Sequence, residues 1–182
     1  RESDIYDYFV HAQELDNQAV LIRGAWNRCI EDEQNYLWKY IESQDEAGTL
    51  SVEVPRKPGQ AVRTANLSLR YGHVILKPPK HRIKEHLPLV KIDVVLARED
   101  NPPSGIKAIE WLLLTTVSVN SLDDAIERVH WYACRWLIET YHKVLKSGCK
   151  IESRQIEAAE SLERYLAVDS VVAWRVLGLT ML

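Results

Sequence analysis

Five side chains in the last third of the chain could act together on a polyanion. Tyr132, Arg135, Glu139, Lys143 and Lys146 follow one another at spacings of three, four, four and three. On a helix they fall on one stripe about 80° wide. The stripe holds a single acid among an arginine, two lysines and a phenol. One carboxylate cannot neutralise three cations, so a positive surface remains that suits phosphates. The carboxylate is a hard oxygen ligand and could hold Mg2+ or Mn2+ against such a phosphate. The same spacing also describes an ordinary solvated face with weak ion pairs. Lys143 and Lys146 equally suit the negative end of a helix dipole.

The stripe needs a helix to carry it, and the local sequence predicts one over residues 121–146. No Gly or Pro interrupts residues 123–147, Asp123 and Asp124 stand where acids favour a helix start, and Gly148 occupies the C′ position. Ile126, Val129, Ala133, Leu137 and Leu145 lie off the stripe, and Trp131 and Trp136 are expected in the core. This helix is expected to pack on a short buried strand at residues 19–23, which ends in Arg23.

The remaining chain alternates in period. Residues 3–14 read as a helix capped by Ser3, with Ile5, Tyr8, Phe9 and Ala12 on one face; Asn17-Gln18 breaks it. Residues 35–43 suit a short helix, although Tyr36, Trp38 and Tyr40 alternate as in a strand. From 49 to 117 the pattern becomes β. Residues 50–54 alternate, 64–70 and 73–77 flank a turn at Tyr71-Gly72, and 89–97 and 109–117 are further strands around the turn Asn101-Pro-Pro-Ser-Gly105. Residues 151–182 read as a final long helix with a very apolar end. Antiparallel strands between α-containing segments suggest an inserted β subdomain.

The order Tyr132-x2-Arg135-x3-Glu139-x6-Lys146 resembles the signature of the DDE transposases of the Tn-five and insertion-sequence-four group. Further patches are similar: Arg1-Glu2-Ser3-Asp4-Ile5, Asn101-Pro-Pro-Ser-Gly105, Trp111-Leu-Leu-Leu-Thr115 and Leu162-Glu-Arg164. The resemblance implies an α+β fold, a partial RNase H-like (retroviral-integrase-like) catalytic fold interrupted by an antiparallel β insertion. Its parts would be 1–47, the insertion 48–118, and 119–182 with the signature. It implies metal-dependent phosphodiester cleavage and strand transfer, with Mg2+ or Mn2+ held by three carboxylates, of which Glu139 is the third. Arg23 would contact transposon-end DNA, Trp111 would stack on a flipped base, and Tyr132, Arg135 and Lys146 would hold phosphates, with Lys143 adding another contact. The first two acids would lie upstream of Arg1. On this reading the chain is a fragment, inactive alone, of a cytoplasmic enzyme that works as a homodimer on double-stranded transposon ends. A non-catalytic DNA-binding module from a truncated insertion sequence, and another RNase H-like nuclease, are the alternatives.

Composition bounds these readings. In 182 residues, 46% are hydrophobic, enough for a core of one domain or one domain with an insertion. No apolar run reaches membrane-spanning length. The start Arg-Glu-Ser-Asp is neither a signal peptide nor an initiator Met, and reads as a cut from something longer. Cys29, Cys134 and Cys149 are odd in number and lack CxxC spacing, against a zinc site or disulfide framework. Net charge is −3, yet residues 55–91 carry Arg56, Lys57, Arg63, Arg70, Lys77, Lys80, Arg82, Lys84 and Lys91 against Glu85 alone. Such a stretch either faces a polyanion or simply solvates strand ends.

Overall fold

A computed structural model describes residues 4–15, 19–54, 62–153, 155–156 and 158–180, the side chains of Trp136 and Thr180 excepted. The expected Ser3 cap, the break at Asn17-Gln18 and the cations Arg56 and Lys57 lie outside these residues. The chain forms two compact units, Arg1–His130 and Trp131–Leu182.

The first unit is built on a five-stranded, wholly antiparallel sheet, so the class is α+β. Its strands are β1 (Leu21–Arg23), β2 (Gly48–Val54), β3 (Arg63–Leu76), β4 (Val90–Glu99) and β5 (Glu110–Thr115), in the order β1-β5-β4-β3-β2. The strand at residues 19–23 is therefore hydrogen-bonded into the same sheet as the long β segment, through Leu21 opposite Thr115 and Arg23 opposite Leu113. Alternate residues face opposite sides of a sheet, and here both sides are buried. One side gathers Ile22, Val74, Leu76, Ile92, Val94, Leu96, Leu112 and Leu114 with α1 (Tyr6–Glu14) and α2 (Leu37–Ser43). The residues of opposite parity, Leu67, Leu69, Val95, Ala97 and Leu113, are also buried.

Several expectations change. The helix at the start runs from Tyr6, and its buried residues are Tyr6, Phe9 and Ala12, while Ile5 and Tyr8 are exposed. The Tyr6 hydroxyl explains the shift: it donates to the carbonyls of Leu76 and Pro88 at 3.1 and 2.7 Å, so the phenol can be buried without an unsatisfied donor. Burial pushes the Tyr6 pKa up to about 12. Gly72 makes no turn. It lies inside the unbroken strand β3, opposite Val94, and a Cβ there would come within 2.7 Å of the Tyr40 hydroxyl. This glycine is required by close approach, and glycine marks that in a strand as readily as a bend.

The other buried side receives the start of α3 (Leu122–Ala133). The Val119 N–H donates to Asp93, and a Cβ on Gly48 of β2 would meet the Leu122 methyls at 2.6 Å. Ser121 accepts from the Asp124 N–H, and Asp124 accepts from the Asn120 N–H, so the acids expected at this helix start are there. The Asn120 N–H, and after it the Ser121 hydroxyl, hold the Asp124 carboxyl below its ordinary value.

The expected single helix over 121–146 is broken. Cys134, with ψ −11°, separates α3 from α4 (Arg135–Lys143), and the Leu137 N–H closes a tight turn on the Cys134 carbonyl. Val144–Gly148 then form a π turn, closed by the Cys149 N–H on the Val144 carbonyl. The left-handed residue beyond it is Lys150, at φ 52°, and not Gly148. Trp131, expected in the core, is 45% exposed. The final helix, α5, is Ala159–Thr180, preceded by a short 3-10 turn at Ile151–Ser153. Within the second unit α5 packs on α4 and the π turn, burying Asp169, Ala173 and Leu177.

Candidate nucleic-acid interface

In the second unit three residues of the stripe form one cluster. The Arg135 guanidinium donates to Glu139 at 2.5 Å and lies 5.9 Å from the centre of the Tyr132 ring. The break at Cys134 leaves Tyr132 on α3 and Arg135 as the first residue of α4, yet the cluster survives it. Glu139 beside it holds the Arg135 guanidinium above its ordinary value, with Tyr132 adding to the effect. Both members of the pair are more than half exposed, so water screens the attraction.

Lys143 is exposed on the last turn of α4 and makes no ion pair with a described residue. Lys146 sits on the π turn, where five residues close each ring, and its Nζ is 2.7 Å from Glu152. A π turn is uncommon and is found often at functional sites. Here it rotates Lys146 away from its ideal α-helical place on the stripe.

In the first unit the structure brings Arg23 and Trp111 together. Arg23 pairs across the sheet with Leu113, so Trp111, two residues from Leu113 on the same strand, shares its face. The Arg23 guanidinium donates to the Glu110 carbonyl at 2.7 Å, beside the Trp111 peptide. Trp111 is only partly buried, so it is not a pure core residue. The sequence alone could not decide between packing and stacking for it.

The basic stretch is less available than its composition suggests. Arg63 pairs with the buried Glu99, Arg70 with Glu46, and Arg82 with both Asp7 and Glu85. Those acids lie elsewhere in the sequence, except Glu85. Lys77, Lys80, Lys84 and Lys91 make no ion pair with a described residue. Lys80 lies 5.8 Å from the centre of the Tyr36 ring.

The helix expected over residues 3–14 would include Asp4, but the helix starts only at Tyr6. Asp4 precedes α1 and its side chain is fully buried. It accepts hydrogen bonds from Ala25 N–H at 2.6 Å, Trp26 N–H at 3.1 Å and the Arg28 guanidinium. Arg28 also donates to the Asp4 carbonyl and lies over the Phe9 ring at 5.4 Å. No local pattern marks this pair, because its members belong to different elements.

Among the described residues no group of three His, Cys, Asp or Glu side chains is placed to hold an ion. Glu139 offers one carboxylate, turned to a guanidinium, and these residues do not by themselves fit a two-metal site. Among the described residues no helix is long and apolar enough to cross a membrane. A family model described as the transposase DDE domain matches residues 10–168.

Proposed function

The chain belongs to the transposase DDE domain family, and from that premise we propose that it is part of a cut-and-paste transposase of the Tn-five and insertion-sequence-four group. One observation carries the reading further than the family. Within the matched residues, a half-buried Tyr132 and the exposed Arg135 and Glu139 form a cluster in the order of the group's signature.

In this reading Glu139 is the catalytic acid and one ligand of Mg2+ or Mn2+, and the other two carboxylates stand ahead of Arg1 in the sequence. One carboxylate does not by itself make a metal site. The chain's own residues bind and orient the DNA. Tyr132 and Arg135 hold phosphates, Lys143 and Lys146 hold the end strand, Arg23 contacts the end duplex, and Trp111 offers an aromatic face to an unstacked base. Residues 48–118 would be the insertion in an RNase H-like frame formed by 1–47 and 119–182. The working enzyme would be a cytoplasmic homodimer on double-stranded transposon ends.

The test uses the protein extended upstream through two further acids, with an end duplex and Mn2+. The extended wild type nicks the end, and Glu139→Gln folds but does not, because a neutral amide is a poor ligand for a hard cation. Cleavage by the Gln variant near the wild-type rate removes Glu139 from the catalytic role.

A second reading, a DNA-binding module without catalysis, is favoured by the pairing of Glu139 with Arg135. It predicts duplex binding that Arg135→Ala weakens and no nicking by the extended chain.

A further inference from the structure

A groove of about 560 Å3 opens in the first unit where the start of α1, the loop after β1 and the end of β3 meet. Trp26 lines it and is 65% exposed. Its backbone is nevertheless pinned, because the N–H groups of Ala25 and Trp26 both donate to the buried Asp4 carboxylate. An indole held in water on a fixed loop is a ready platform for another flat surface.

The charges around it sort into two sets. Arg28 is cancelled by Asp4, whereas Arg82 faces both Asp7 and Glu85, which leaves one carboxylate in excess. Lys77, Lys80 and the His81 imidazole also line the groove, and neither lysine forms an ion pair with a described acid. Pro78 and Pro79 between the two lysines restrict the backbone that presents them. An aromatic face beside lysines with no counter-ion among the described residues matches a base beside its phosphates. An intact duplex cannot use the platform, since its bases already stack on one another. An apolar peptide would strip water from the lysines with nothing in return.

We propose that this groove binds single-stranded DNA, with a base stacked on Trp26 and adjacent phosphates on Lys77, Lys80 and His81. The inference rests on the DNA-binding part of the reading above and adds a second contact surface, distinct from the signature residues.

The test measures anisotropy of a labelled ten-residue oligothymidylate and of a blunt duplex of mixed sequence, over a range of salt. Trp26→Ala weakens single-strand binding about tenfold or more, and Trp26→Phe restores part of it. Lys77→Ala with Lys80→Ala lowers the log–log salt slope on the single strand by about 1.4, two phosphate contacts' worth. Duplex affinity changes little in all three. Circular dichroism melts check that each variant folds. Unchanged single-strand affinity in Trp26→Ala, or equal loss on single strand and duplex, overturns the proposal. So does failure of the wild type to bind the single strand. A parallel pair, Arg135→Ala and Lys146→Ala, separates the two claims. If these weaken duplex binding while the groove variants change nothing, the groove fails and the DNA-binding reading stands.

Discussion

Glu99 in the sheet unit and Glu139 in the helical unit each accept a hydrogen bond from an arginine, but only one of the two carboxylates is open to water. The Glu99 side chain is 3% exposed, and it takes both guanidinium arms of Arg63 and the Ile109 N–H. A buried carboxylate must have its oxygens satisfied, and three donors do that. The Glu139 side chain is 62% exposed and takes one donor from Arg135. The pair is screened by water and can open at small cost. Burial makes a pair part of the fold, whereas exposure leaves it exchangeable. An exchangeable arginine and glutamate are what a phosphate and a metal ion require of a binding surface.

The largest effect expected from this contrast is at the deepest pair. Arg28→Ala leaves the Asp4 charge buried with no counter-ion, and the fold should lose about 3–5 kcal/mol in urea denaturation. A loss under about 1 kcal/mol would show that depth does not set the value of a pair.

Glu99→Gln comes next. It keeps the shape but removes the charge facing Arg63, whose side chain is largely buried, and should cost about 1–3 kcal/mol. The same pair sharpens the comparison through pH. Arg63, and after it the Ile109 N–H, hold the Glu99 carboxyl below the ordinary value. A lowered folded value gives stability that is fully present above the ordinary carboxylate pKa, about 4.3, and is lost as pH falls through the folded value. Urea midpoints of the wild type should therefore fall more steeply below about pH 4 than those of Glu99→Gln. Parallel curves would mean that Glu99 does not drive the acid loss.

Glu139→Gln should be the smallest effect on the fold, under about 0.5 kcal/mol, as for other exposed i,i+4 pairs. A loss above 1 kcal/mol would place Glu139 with the structural glutamates and remove the contrast.

Local pattern was a good guide where contacts are local. The β stretch, the start of α3 at Ser121 and the strand ending in Arg23 were legible, because period and capping residues are written within a few positions, whereas α2 stayed open between helix and strand. Gly72 was misread because glycine serves turns and close approach alike, and only the Tyr40 ring decides between them. Which cations of the basic stretch stay unpaired was not legible, because Arg63 and Arg82 meet acids 36 and 75 residues away. The break at Cys134 carries no Gly or Pro, and nothing in the sequence marks it. For the site, the cluster Tyr132–Arg135–Glu139 followed from helical spacing, whereas the Trp26 groove needed three separate segments to meet.

The short strand β1 has a consequence in time. Its backbone is tied at Val20 to Thr116, 96 residues along the chain. β3, β4 and β5 follow one another and can zip as neighbours, but β1 must wait for an edge on β5 to exist. Closing so long a loop for three residues of pairing is entropically dear. β1 should therefore join last during folding and open first in the native state, with its amides exchanging ahead of those of β3 and β4 in deuterium. Arg23 rides on that strand, so its aim depends on the last-formed seam of the sheet.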